Sequence, residues 1–118
     1  IPVSIPYEID KKLVEEYLKC WDIDNYEYIE DVSELWNSIN KVRKIGPAIV
    51  EDIYRYLLEN KGDYSSVIIS YVLPQFEGVR KETINSFIED LKTLDYMNNR
   101  EVKPVENFAD DYFRLGVQ

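Results

Sequence analysis

Apolar residues recur every three or four positions along most of this chain, the spacing that places side chains on one face of an α-helix. Asp10 is a suitable N-cap for the first stripe, because its carboxylate can accept a hydrogen bond from an amide of the first turn. Asp31 and Glu34 have the pattern of an acidic capping box at the start of the second predicted helix. Four stripes predict four amphipathic helices: Leu13, Val14, Tyr17, Leu18 and Trp21; Val32, Leu35, Trp36, Ile39 and Val42; Ile49, Val50, Ile53, Tyr54, Leu57 and Leu58; and Ile84, Phe87, Ile88, Leu91 and Leu94.

Glycine and proline mark the breaks between these helices. Gly46 and Pro47 are expected to end the second helix and begin the third, because proline at the first helical position gives up an amide that has no intrahelical partner. Gly62 is expected to end the third helix as its C′ residue. Residues 67–73 are ambiguous, since their β-branched side chains suit a buried strand while a cap at Asp63 suits a buried helix. Propensity alone slightly favours the strand.

The order of elements predicts an all-α fold, a small bundle of about five helices with short connections over residues 10–94. Residues 1–9 contain two prolines and are predicted to be an arriving linker or edge segment. Residues 95–118 are predicted to be a partly irregular tail. In that tail, two asparagines at 98–99 suggest a short hairpin, and residues 108–115 a last helical turn.

Composition restricts the classes of partner. The 118 residues include 23 acids and 14 bases, a formal net charge of −9, so a phosphate backbone would be repelled and direct contact with nucleic acid is not expected. No apolar run approaches the ~18–20 residues that a membrane span needs. The single cysteine, Cys20, excludes an internal disulfide and indicates a reducing, cytoplasmic location. The first residue is isoleucine, which suggests a piece of a longer protein.

Catalytic and metal-binding motifs are missing from the sequence. The chain has no histidine, which excludes histidine-based triads and histidine zinc sites. Its four glycines lie too far apart to build a phosphate-binding loop. The acidic pairs lie in polar sequence, where both carboxylates are expected to stay ionised on a solvated face. We therefore predict no catalytic residue, no metal ligand and no cofactor bound by this chain alone.

Residues 41–47, Lys-Val-Arg-Lys-Ile-Gly-Pro, concentrate positive charge in this acidic chain. In one interpretation, cations at the C-terminus of a helix interact favourably with its dipole and stabilise the helix by ~0.3–1 kcal/mol, and Gly-Pro only ends the helix. In the other, the bases and the open N-terminus of the next helix face an anion such as a phosphate. The residues alone leave both open.

Two phrases, Arg-Lys-Ile-Gly-Pro-Ala at 43–48 and Tyr-Val-Leu-Pro-Gln-Phe-Glu-Gly at 71–78, carry a family resemblance. Together with the order of helices, they make residues 5–94 resemble the C-terminal helical lid of AAA+ ATPases of the McrB-like and MoxR-like (dynein-related) kind. The proline-containing segment at 1–8 is similar to the one that enters such lids. The resemblance implies a helix, not a strand, at 67–73.

The resemblance also implies a nucleotide-proximal region, similar to the sensor-2 region, at Arg43, Lys44, Gly46, Pro47 and Ala48. ATP or GTP with Mg²⁺ would be held by a core domain outside this chain. The partners would be that core and adjacent subunits of a ring. Many lids of this family carry an arginine just inside the helix, whereas this chain has Ala48 and apolar residues there. Helix-terminus contacts or a neighbouring subunit would then replace that arginine.

Two other functions compete with a lid. A free-standing acidic adaptor would bind a protein through an aromatic patch. A winged-helix nucleic-acid module would need strands at 67–72 and 96–102 with Arg80 and Lys81 on a recognition helix, and the net charge argues against it. The predicted partner surface of the tail consists of Phe108, Tyr112, Phe113 and Leu115.

Overall fold

The computed structural model describes the backbone of residues 9–94 and 99–116. It describes the side chains and their burial at residues 9–94 and 102–111. Throughout these ranges the regular structure is helical, which confirms the predicted all-α bundle. After the fourth helix the chain continues through a π-helical turn, Ile68–Val72, and a 3₁₀ turn, Leu73–Phe76. The helices are α1 (Lys11–Cys20), α2 (Ile29–Val42), α3 (Pro47–Glu59), α4 (Tyr64–Val67), α5 (Lys81–Leu91) and α6 (Asn99–Gly116). Of the predicted linker or edge segment at 1–9, residues 1–8 lie outside the described residues, and Ile9 is buried just before α1.

Two of the three predicted aspartate caps are present. Asp10 accepts a hydrogen bond from the Leu13 amide at 2.9 Å, and the carboxylate of Asp63 caps α4. The capping box at Asp31 and Glu34 is wrong, because α2 begins two residues before Asp31. The Asp31 carboxylate instead accepts a hydrogen bond from the Tyr64 hydroxyl at 2.6 Å, so a tertiary contact uses the group expected to cap the helix.

The end of α3 differs by one residue from the prediction at Gly62. The Gly62 amide donates to the Leu57 carbonyl at 2.9 Å, the bond that defines a Schellman ending with Gly62 at C″. Lys61, with φ of 52°, takes the left-handed C′ position instead. Gly62 itself has φ of 80°, and a Cβ there would come within 3.2 Å of the Tyr28 ring. A side chain at this position would therefore meet both backbone strain and a steric contact.

The ambiguous segment 67–73 is helical, as the family resemblance implies and against its local propensity. Val67, Ile68, Val72 and Leu73 are almost completely buried, and the segment packs against α3 and α6. Tertiary burial of a continuous apolar run therefore overrides the modest strand preference of β-branched residues. The strands that a winged helix would need at 67–72 and around Val102 are helices.

The hairpin predicted in the tail is wrong over its described part, whereas the helical turn predicted at 108–115 belongs to a longer helix. Residues 99–116 form one helix, α6, so Val102 belongs to a helix and not to a hairpin. Val102, Val105 and Ala109 are buried at helical spacing and pack with α4, α5 and the π-helical turn. Helix α6 therefore shares one core with residues 9–94.

Tyr54 is a fully buried polar side chain at the centre of the core. Its hydroxyl donates to the Asn25 carbonyl at 2.8 Å and accepts from the Tyr28 amide at 3.2 Å, which ties the loop after α1 to α3. Burial of the phenol raises the pKa of Tyr54 to about 12 from its ordinary 10.0. The neutral phenol is therefore favoured more strongly in the folded than in the unfolded chain.

We expect stability to fall above pH 10 because of Tyr54. The folded pKa is raised, so the contribution is full below pH 10 and is lost as pH rises through about 12. Two pKa units correspond to about 2–3 kcal/mol of unfolding free energy. Chemical denaturation across this range should show a shallower pH dependence for Tyr54→Phe than for the native chain. Tyr26→Phe, at an exposed tyrosine, is the matched control, and equal slopes for all three proteins would contradict the assignment.

Candidate functional site at the α2–α3 junction

The junction between α2 and α3 leaves a helix N-terminus open. Helix α2 ends at Val42, and the Asn40 side chain accepts a hydrogen bond from the Ile45 amide at 3.2 Å, which shapes the loop. Gly46 is the N-cap of α3 and Pro47 its first residue, as predicted. No side chain caps the first amides of α3, and a Cβ added at Gly46 would meet nothing within 4 Å. These amides carry the positive end of the helix dipole.

Arg43 connects the two phrases on which the resemblance depends. Its Nη1 donates to the Gln75 carbonyl at 2.8 Å and to the Glu77 carbonyl at 2.9 Å. Both acceptors belong to the turn that follows the buried segment 67–73. A contact of Arg43 with an anion stays a prediction, since Nη1 already satisfies two carbonyls of the protein.

Removing this arginine is expected to lower stability without changing the fold. Arg43→Ala leaves two carbonyls to the solvent and should reduce the unfolding free energy by about 1–2 kcal/mol in urea denaturation. Arg43→Lys should recover only part of the loss, because an ammonium cannot reproduce the guanidinium geometry. Arg80 is an exposed arginine with no side-chain partner among the described residues, so Arg80→Ala is the control. Equal effects at both positions would contradict a specific role for Arg43.

Lys44 is a cation of the junction without a hydrogen-bond or ion-pair partner among the described residues. Its side chain is exposed and makes no hydrogen bond or ion pair with the described residues. The neighbouring Lys41 differs, because its Nζ lies 3.4 Å from a carboxylate oxygen of Asp90 on α5. Both side chains are largely solvent-exposed, so this ion pair adds little stability.

A groove of about 780 Å³ lies between α1 and the α2–α3 junction, and we call it the junction groove. Its volume falls in the range of ~300–1,000 Å³ typical of ligand sites. Apolar side chains form one part of its wall, and two lysines and two asparagines form the other, with no carboxylate among the described lining residues. The lining consists of Ile9, Leu13, Tyr17, Trp36, Asn37, Asn40, Lys41, Lys44, Ile45 and Pro47.

The predicted nucleotide-proximal residues lie together at this end of the molecule. Lys44 and Pro47 line the junction groove, whereas Arg43, Gly46 and Ala48 are exposed and lie outside its lining. Sequence reasoning missed the groove residues of α1 and α2, because Tyr17 and Trp36 belong to stripes that predict core. The available signal was a polar flank of asparagines and lysines directly beside the stripe of α2, at positions 37, 40, 41 and 44.

The predicted partner surface of the tail is described only in part. Phe108 lies on α6 with 37% of its surface exposed. Tyr112, Phe113 and Leu115 belong to α6 by their backbone, but their side chains lie outside the described residues. Across the described ranges, no cluster of three or more histidine, cysteine or acidic side chains could hold a metal ion. No helix there is both long and apolar enough to cross a bilayer.

Comparisons with known proteins add no relative. The chain matches no family model, no curated protein sequence and no solved structure.

Proposed function

We propose that this chain is the helical lid of a AAA+ ATPase and closes over a nucleotide held by a core domain outside it. The observation that carries the proposal is the contact of Arg43 with the carbonyls of Gln75 and Glu77. This contact joins the two phrases that resemble AAA+ lids. The N-terminus of α3, which lies within the first of these phrases, has no side-chain cap.

The charges at the junction suit a role near phosphate groups. The first amides of α3 and the ammonium of Lys44 provide positive potential in a chain whose net charge is −9. Closure over a nucleotide would add this potential near its phosphates. The reaction itself needs a phosphate-binding lysine and Mg²⁺ ligands, which the core would supply. The proposed partners are the core domain and adjacent subunits of a ring in the cytoplasm. The core would hold ATP or GTP together with Mg²⁺.

A protein-interaction domain is the second candidate function. The junction groove favours it, because an open groove with an aromatic wall and a cationic end is suited to a segment of another protein. A lid and an interaction surface are compatible in one domain, since Lys44 and Pro47 are the predicted nucleotide-proximal residues that also belong to the described groove lining.

Two measurements test the lid proposal. The coding sequence upstream of Ile1 should contain a Walker A motif, and a start codon directly before Ile1 would refute the proposal. Calorimetric titration of the isolated chain with Mg²⁺-ATP should show no tight binding, because one lysine and a helix terminus cannot replace a phosphate loop. Tight binding by the isolated chain would identify a nucleotide-binding protein of another kind.

A further inference from the structure

We propose that the junction groove binds an extended peptide in which an aromatic or large aliphatic residue is followed closely by carboxylates. This proposal does not depend on a nucleotide at the first turn of α3. It is carried by the chemistry of the groove lining, to which α1 contributes apolar and aromatic side chains and the end of α2 with the junction contributes the lysines. We call Leu13, Tyr17 and Trp36 the apolar end of the groove and Asn40, Lys41 and Lys44 its polar end.

The apolar end offers a rigid aromatic surface for an anchor residue. Tyr17 stacks on Trp21 with ring centroids 5.4 Å apart and an interplanar angle of 18°. The same ring lies 5.8 Å from the Trp36 ring, tilted by 50°. Tyr17, Trp36 and Leu13 line the groove, so an entering side chain would meet aromatic groups that neighbours already hold. Such preorganised aromatic surfaces are typical of the anchor pockets that dominate peptide affinity.

The polar end is complementary to carboxylates. It presents Lys44, which makes no ion pair with described residues, and Lys41, whose Nζ already lies 3.4 Å from a carboxylate oxygen of Asp90. The described lining itself contains no acid, although acids outnumber bases 23 to 14 in the whole chain. Asn40 uses its side-chain oxygen for the Ile45 amide, and its NH₂ group makes no hydrogen bond with described residues. A short acidic segment therefore fits this end. A nucleic-acid strand does not, because it would extend from a small cationic groove over an acidic surface.

The groove lining also includes groups suited to a peptide backbone. Asn37 donates to the Ile9 carbonyl at 2.7 Å and accepts from the Ile9 amide at 2.6 Å, so both backbone groups of one residue of the chain are already bound there. Trp36 is 5% exposed, and its indole N–H has no acceptor among the described residues. A buried donor without an acceptor is costly, and a peptide carbonyl reaching it after a small adjustment would remove that cost.

Fluorescence polarisation with the intact chain tests this proposal. The probe is a fluorescein-labelled peptide, Gly-Leu-Phe-Asp-Glu-Gly, and the expected result is saturable binding that weakens as salt is raised. Lys44→Glu should weaken binding about tenfold, whereas Lys12→Glu, which changes the net charge equally on the exposed face of α1, should change it less than about twofold. Peptides with Asn-Gln for Asp-Glu, or Ser-Ser for Leu-Phe, should bind about tenfold more weakly or worse.

A second readout places the peptide in the groove. In Trp21→Phe, Trp36 is the remaining tryptophan, and its emission should change on addition of the unlabelled peptide. Absence of saturable binding would overturn the proposal, as would equal losses for Lys44→Glu and Lys12→Glu. Displacement of the peptide by Mg²⁺-ATP at the groove would assign the groove to nucleotide instead. Binding that appears only after removal of residues 1–8 would identify the chain's own N-terminal segment as the occupant.

Discussion

Replacing Val105 with aspartate is expected to destabilise the whole domain by about 4 kcal/mol or more, because an unpaired carboxylate would enter a dry core. Val105 is fully buried on the inner face of α6, where it joins the core formed by α4, α5 and the π-helical turn. Since small domains have only ~5–15 kcal/mol of net stability, this change should leave a substantial unfolded fraction at 37 °C. Circular dichroism during thermal and urea denaturation measures the effect.

Asn107→Asp is the matched control for Val105→Asp. It adds the same charge two residues away, on the exposed face of α6, and should change stability by less than about 0.5 kcal/mol. If residues 99–116 were a loosely attached tail, the two variants would behave alike and the main unfolding transition would be unaffected. That outcome would contradict the packing of α6 into the common core.

If the lid proposal holds, Ala48→Glu in the parent ATPase is expected to reduce ATP turnover at least about tenfold, or ~1.4 kcal/mol in the activation free energy. Ala48 is an exposed residue in the first turn of α3, beside the open amides. A carboxylate there would occupy the positive end of the helix and repel a nucleotide phosphate. A carboxylate also interacts favourably with a helix N-terminus. The unfolding free energy of the isolated domain should therefore stay unchanged or rise by ~0.3–1 kcal/mol.

Ala48→Gln separates charge from size in this experiment. Glutamine is close to glutamate in volume but neutral, so turnover should stay within about threefold of the native protein. Equal losses for both variants would indicate a steric effect at an interface rather than repulsion of phosphate. Unchanged turnover for both would argue that α3 does not face the nucleotide.

The helices with clear apolar stripes could be predicted because burial of one helix face imposes a helical spacing on the apolar residues. The starts at Asp10 and Pro47 were also readable, since their signals act within a single turn. The Asp31 cap failed for a different reason, because its carboxylate bonds the hydroxyl of Tyr64 from a distant part of the chain. Helix α6 was missed because Val102, Val105 and Ala109 form a narrow stripe in a segment rich in polar residues.

The candidate site was predictable only where the signal was local. The Gly46–Pro47 break and the nearby bases are adjacent in sequence, so the open helix N-terminus could be anticipated. The carbonyl contacts of Arg43 lie more than thirty residues away, and no periodicity reports them. The junction groove needs α1 and α2 at a particular separation. Its aromatic residues lie on stripes that normally indicate core, and Trp36 is indeed core at 5% exposure, so only the partial exposure of Tyr17 departs from that pattern.

Hydrogen exchange of the full-length protein, with and without a non-hydrolysable ATP analogue, tests the lid assignment most directly. If α3 opens towards the nucleotide, the amides of residues 48–50 should exchange at least about fivefold more slowly once the analogue is bound. The buried segment 67–73, distant in sequence, should keep its rate and serve as the internal reference. Unchanged exchange at residues 48–50 under saturating nucleotide would contradict a lid that closes over it.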